Sequence, residues 1–256
     1  MKGRWIAAVL ATAGLGLGTL GALEAAEVAG KAPFYSRLER AIVVRDRGAL
    51  EDCRDVLRRE EAPSPLGGSA QRAYTLAFIN SRLAPMLPPS RGAERKALLE
   101  EAAEALRQAV RLNPRDAEAH ALLGAVYGAQ VSGSRLKGMT QGPKISAAFK
   151  EAERLAPDNP RVALQKGISL FYVPKALGGG PEAAERELRR AEALFAREPA
   201  GKPWPNWGRV DVHVWLGRAL AEKGDRQGAR ASYQRALALA PDHALVRGEL
   251  LPAVER

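Results

Sequence analysis

Three histidines, one cysteine and a handful of glycine-rich turns are the residues of this 256-residue chain whose types most readily suggest chemistry. Histidine is the usual acid-base and metal-ligating side chain. His120 and His213, however, stand at the same place in two similar segments, each three residues before a Leu-Gly pair, and are therefore expected at helix contacts. His243 follows Pro241-Asp242 and is expected to begin a terminal helix. No His-Glu-x-x-His occurs and no two metal-ligating residues are closely paired, so metal chemistry has no support. Cys53 is the sole cysteine, which rules out an intramolecular disulfide and a Cys-based metal site. In Ala49-x3-Cys53-x2-Val56 it is expected as a buried packing thiol. Gly178-Gly179-Gly180-Pro181 leads into a helix, a context that can cradle phosphate. The Lys-Ser/Thr of a P-loop is missing and Glu182 puts negative charge on the first turn, so a structural turn with Pro at the first helical position is expected instead. Gly133-Ser134-Arg135 and Gly67-Gly68-Ser69 lack the strand-turn-helix surroundings of a nucleophilic serine. No catalytic residue, cofactor or metal is expected.

The elements that would position any site are helical. Hydrophobic residues make up 46% of the chain but aromatics only 5%, so the core must be filled largely by Ala, Leu and Val. That composition suits close-packed helices, because Ala has the best helix propensity and lets neighbouring helix axes approach. In the last third, His213-x2-Leu216-Gly217-x2-Leu220 is followed by Ala229-x3-Tyr233 and Pro241, with a Gly224-Asp225 turn between two amphipathic helices. The same Ala-to-Pro or Ile-to-Pro interval of 12 residues recurs from Ala102 to Pro114 and from Ile145 to Pro157. The first helices carry His120-x2-Leu123-Gly124-x2-Tyr127 and Ala163-x2-Lys166-Gly167-x2-Leu170.

This pattern resembles the tetratricopeptide (TPR) signature W-x2-L-G-x2-Y, A-x3-F, P, with His213 and Leu220 in place of its Trp and Tyr. The resemblance implies an all-α, TPR-like α-solenoid of about five helical hairpins plus a C-terminal capping helix, spanning residues 27–256. The clearest repeats are 102–157, 160–198 and 212–241. The glycines lie 43 and 50 residues apart rather than the usual period of about 34, so the excess is expected in loops at 128–144, 173–181 and 197–207. A charged loop is likewise expected over 91–96. Asn159 to Tyr172, Gly178-Gly-Gly-Pro181, Pro205-x-Trp207-Gly208 and Glu249-Leu-Leu-Pro252 look like an exported bacterial TPR subfamily of unassigned function, which implies architecture and location only.

At the N-terminus, Lys2 and Arg4 precede the uncharged stretch Trp5 to Leu23 and then small residues, the layout of a secretory signal peptide over 1–26. Left uncleaved, the same stretch would serve as a membrane anchor. Either reading exports the folded part to the periplasm or cell envelope. The formal charge of +10 changes by only one when Lys2, Arg4 and Glu24 leave with the signal; its Arg-rich excess is read either as solvated helix faces shaped by coding bias or as a surface that recognises carboxylates or phosphates of an acidic partner. Nucleic acid is not expected, since export removes it and the basic residues are interleaved with Asp and Glu.

In TPR proteins the first helices line a concave groove. Carried over by register, the resemblance places Gln71, Tyr74, Phe78 and Arg82, then Arg161, Gln165, Phe171 and Tyr172, then Asp211, Trp215 and Arg218 on or near it. Aromatics and Arg together suit peptide anchoring. The Lys and Asn pattern of carboxylate-clamp members is not reproduced at these positions. The reading that follows is a non-enzymatic envelope protein that binds a protein or peptide in its groove as adaptor or assembly factor. A periplasmic ligand-binding component accompanying a solute transporter is the second reading, and an envelope enzyme with a loop-borne site the third.

Overall fold

The computed structural model describes residues 33–59, 66–131, 135–199 and 201–256; the expected signal segment lies outside them. Eleven α-helices are present among the described residues, with no strand. They are α1 (33–44), α2 (Arg47–Arg59), α3 (Ser69–Leu83), α4 (Gly92–Leu112), α5 (Ala117–Val131), α6 (Arg135–Leu155), α7 (Pro160–Tyr172), α8 (Pro181–Arg197), α9 (Arg209–Glu222), α10 (Arg226–Leu239) and α11 (Leu251–Glu255). The strongest packing is within consecutive pairs, α3 with α4, α5 with α6, α7 with α8 and α9 with α10, and each hairpin then rests on the next. The chain is an all-α solenoid.

Local sequence explains where the helices begin. Asp46, Asp116, Asn159 and Asp225 each accept a backbone N–H from the first turn of the helix that follows, at 2.8 to 3.0 Å, satisfying donors that a helix start leaves free. Packing explains why Gly recurs inside the first helices. A Cβ on Gly217 would lie 2.3 Å from the Tyr233 ring, and one on Gly124 would meet the Phe149 ring at 3.0 Å. A side chain of the second helix, Tyr233, Phe149 or, opposite Gly167, Leu188, occupies the space left by the missing side chain, which lets the two axes close.

Two expected loops are helical. The described residues of 128–144 belong to α5 and α6, and 92–96 form the opening of α4. Gly138, Gly142 and Pro143 read as breakers by local rules, and Pro inside a helix costs about 3 kcal/mol. The helix nonetheless continues through them from its packed half, where Ala148, Phe149 and Ala152 are buried against Ala117, Ala121 and Val162. Propagation from a formed helix needs far less than nucleation does. The other two loops are as expected in position. At the C-terminus the chain turns through a π-helical segment, Val246–Leu250, with the Leu251 N–H donating to the Val246 carbonyl just before Pro252, and this end packs on α10. No helix among the described residues is long and apolar enough to cross a membrane.

Candidate functional site

The inner face is built by register. Gln71, Glu118, Arg161 and Asp211 stand six residues before Ala77, Gly124, Gly167 and Gly217, so each first helix sends one side chain from its opening turn to the same surface. Around them the structure divides the expected groove residues into two compartments.

The first compartment is filled by the chain itself. Residues 201–208, between α8 and α9, cross the inner face and insert two indoles. Trp204 stacks on Tyr35 of α1, with centroids 4.7 Å apart and 14° between planes, and meets Phe78 edge-on at 5.4 Å. Its Nε1–H donates to Thr75 Oγ1 at 3.1 Å. Trp207 lies 4.8 Å from Phe78, and its Nε1–H donates to the Tyr74 hydroxyl at 3.0 Å. Gln71 donates to the Tyr35 hydroxyl at 3.2 Å. Phe78 is fully buried and Tyr74 nearly so.

Beneath the indoles lies a buried charge cluster. Arg161, 1% exposed, pairs with both oxygens of Glu198 at 2.5 and 3.0 Å and approaches Glu118 at 3.8 Å. Glu118 also accepts from the Asn159 amide at 3.0 Å and from the Tyr74 hydroxyl at 3.4 Å. Lys202 stands 3.8 Å from Glu198 and 4.0 Å from Glu118, while Arg209 stands 3.8 Å from Glu198 and donates to the Phe195 and Glu198 carbonyls. Burial raises the Glu118 carboxyl above its ordinary range, against the opposing Arg161 charge and Asn159 hydrogen bond. Burial alone would raise Glu198 too, but the hydrogen bonds and charge of Arg161, with the charges of Lys202 and Arg209, together outweigh it and leave this carboxyl below its range. Burial and the Glu118 charge hold the Tyr74 phenol well above its usual value. Both carboxylates lie within 4.0 Å of cations, Arg161 and Lys202 for Glu118 and Arg161, Lys202 and Arg209 for Glu198, so the cluster is a buried ion-pair network.

The second group of expected residues lies on α7 and α9. Phe171 and Tyr172 pack edge-on against Trp215, each with centroids 5.9 Å from it, and the Arg218 guanidinium lies 4.2 Å above the Trp215 ring. Tyr172 is 59% exposed, and no carboxylate among the described residues pairs with Arg218. Of the expected groove residues, Phe171, Tyr172, Trp215 and Arg218 thus form an open platform. Tyr74, Phe78, Arg82, Arg161, Gln165 and Asp211 are committed inside the molecule, and Gln71 is half-buried beside Tyr35. Glu118, Glu198, Thr75, Tyr35, Trp204 and Trp207 were not among the expected residues. Glu118 had a signal, its register position, whereas Trp204 and Trp207, on the strap formed by residues 201–208, had none that periodicity could show.

The remaining candidates take structural places. His120 Nε2 is 3.0 Å from the Pro114 carbonyl, and His213 lies 3.4 Å from Glu192 with its pKa lowered by burial despite that carboxylate. His243 is buried and its Nδ1 accepts the Val246 N–H at 3.4 Å, at the start of the terminal helical segment. Gly178 and Gly180 adopt positive φ, Pro181 opens α8, and Glu182 pairs with Lys175 at 2.9 Å, so the glycine loop is a turn with its first-turn acid already matched. Among the described residues no group of three or more His, Cys, Asp or Glu side chains could share a metal ion.

Comparison with known proteins agrees with this architecture. A model described as "TPR repeat" matches residues 99–131, the α4–α5 pair, and one described as "Tetratricopeptide repeat" matches 210–243, the α9–α10 pair. No curated protein sequence matches the chain. Among solved structures, TTC0263, a thermophilic TPR protein of Thermus thermophilus, aligns with a TM-score of 0.59 at 21% identity, covering 87% of this chain and 100% of its own. The HusA haemophore of Porphyromonas gingivalis aligns with a TM-score of 0.56 at 22% identity, covering 77% of this chain and 90% of its own. At these identities the likeness is one of fold. Hairpin register and the two repeat matches show that the chain contains tetratricopeptide repeats, at 99–131 and 210–243, within an all-α solenoid that shares its fold with these structures.

Proposed function

We propose that this TPR protein is an exported, non-enzymatic adaptor or assembly factor that binds a protein or peptide partner at the cell envelope, and that the partner docks on the α7–α9 platform. TPR repeats generally mediate protein–protein interaction. The observation that carries the reading is the part-exposed cluster of Phe171, Tyr172, Trp215 and Arg218, where the guanidinium lies against the Phe171 and Trp215 rings and no carboxylate among the described residues pairs with it. Such rings offer large contact area at small conformational cost, and the combination is enriched where interfaces concentrate their binding energy. The layout of residues 1–26 supports export, by secretion or by anchoring. The net charge of +10 favours an acidic partner.

Crosslinking in intact cells followed by identification of partners tests the reading. One reproducible protein partner, lost when Trp215→Ala is combined with Arg218→Ala, is the expected result; a partner retained by that variant would remove the platform from the binding site. A periplasm-only reporter fused to the chain should be active, and a silent reporter would overturn export. The same platform also suits a small aromatic or anionic ligand, and one relative of this fold is named a haemophore. A dissociable small molecule in native mass spectra, without a protein partner, would favour that second reading.

A further inference from the structure

The segment 201–208 is seated on the inner face in the manner of a bound peptide. It has no regular secondary structure, it joins α8 to α9, and it is bounded by Gly201 and Gly208, both at positive φ. Its two anchors fill a pocket that belongs to other repeats, with walls from Tyr35 on α1 and Tyr74, Thr75 and Phe78 on α3. Each indole N–H is spent on a hydroxyl of α3, so the pocket reads both the rings and their single donors. A third contact comes from Asn206, which hydrogen-bonds the Glu39 carboxylate of α1. Lys202 folds back to the Pro205 carbonyl at 2.6 Å and turns its charge toward Glu118 and Glu198.

We propose that this pocket is a recognition site for a tryptophan-bearing extended segment, whose resident ligand is the chain's own Lys202–Trp207 and whose next ligand is a partner's segment of the same chemistry. The strap and an incoming segment compete for one place. Tethering at both ends gives the strap an effective concentration on the order of millimolar, so the resident ligand dominates until a partner outcompetes it or the strap is drawn away. The pocket shares no residue with the platform, and the proposal stands whether or not the platform binds a partner.

The chain's own segment supplies the probe. A dye-labelled synthetic peptide of Lys202–Gly208, Lys-Pro-Trp-Pro-Asn-Trp-Gly, is titrated by fluorescence anisotropy against the full chain and against a chain carrying Trp204→Ala and Trp207→Ala. The emptied chain is expected to bind the peptide at least about tenfold more tightly than the unaltered chain, which holds its own ligand. Tyr74→Phe with Thr75→Ala, added to the emptied chain, should weaken that binding about tenfold as the indole acceptors go. A peptide with both tryptophans replaced by alanine should not bind. An emptied chain that keeps its helical circular dichroism yet binds the peptide no better than the unaltered one, or binds the alanine peptide equally, overturns the proposal. Should the emptied chain lose its helicity, a ten-residue Gly-Ser insert after Gly201 retains both indoles while lowering their effective concentration. Increased peptide binding by that lengthened chain supports exchange, and continued exclusion of the peptide overturns it.

Discussion

Arg82 and Asp211, 129 residues apart in sequence, meet through two parallel hydrogen bonds of 2.8 and 2.9 Å and so tie the second hairpin directly to the fifth. Both side chains are about four-fifths buried, and the guanidinium also lies 4.8 Å from the Phe78 centroid and 5.4 Å from that of Trp207. Paired, planar donors of this kind are among the stronger hydrogen bonds in proteins. Arg82→Ala should therefore cost about 2 kcal/mol in urea unfolding. A cycle with Asp211→Ala should show clear coupling between the two, whereas additive losses would mean that the pair contributes little.

The glycines of the hairpins should respond in opposite directions. Gly217→Ala drives a methyl into the Tyr233 ring and is expected to destabilise by about 1 to 3 kcal/mol. Gly142→Ala, in α6 with nothing within 4 Å of the added methyl, should stabilise by about 0.5 to 1 kcal/mol, as alanine does inside a helix. Thermal unfolding distinguishes the two, and a loss of stability for Gly142→Ala would argue against a helix at residues 138–144.

The charge cluster should give pH dependences of two signs. Because burial raises Glu118, the folded chain holds a proton that the unfolded chain has released, and this group adds stability as pH falls from its raised pKa toward the ordinary carboxylate value. Glu198 acts oppositely, its stabilisation being lost as pH falls through its depressed pKa. Glu118→Gln removes only the first dependence. Relative to the unaltered chain it should look best at neutral pH and lose that advantage on acidification; a difference independent of pH would show that Glu118 does not titrate in this window. Arg161→Ala, which strands buried carboxylates, should cost about 3 to 5 kcal/mol.

Cys53 is 1% exposed, and burial raises its thiol pKa. A disulfide reagent should leave it unmodified in the native chain and titrate one thiol in denaturant. Native reaction at the rate of a free thiol would place Cys53 at the surface.

Much of the fold was legible because its signals are local and periodic. The 12-residue interval from Ala or Ile to proline and the recurring glycine of the first helices report helix contacts within a hairpin, and Gly217 against Tyr233 shows that contact in space. The α6 segment misled because Gly and Pro weigh heavily in local rules, while a packed helix can extend past them. The inner face was only half legible. Register brought Arg161 and Asp211 to it and would have brought Glu118, but the acceptors of Trp204 and Trp207 lie 129 and 133 residues upstream, in a segment with no period to reveal them. Those tryptophans decide which groove residues remain accessible, so the platform could be separated from the filled compartment only in three dimensions.

The joining of the first hairpin to the α8–α9 segment, and of the second hairpin to the fifth, changes how this solenoid should melt. An open repeat array behaves as a row of neighbours, able to fray from either end and to gain or lose a unit at modest cost. Here Trp204 on Tyr35 and Arg82 on Asp211 couple hairpins that are not adjacent, so a chain with one hairpin deleted would lose the clasp as well as the unit. The repeat number is in that sense set by ring closure, and unfolding becomes a property of the whole circuit.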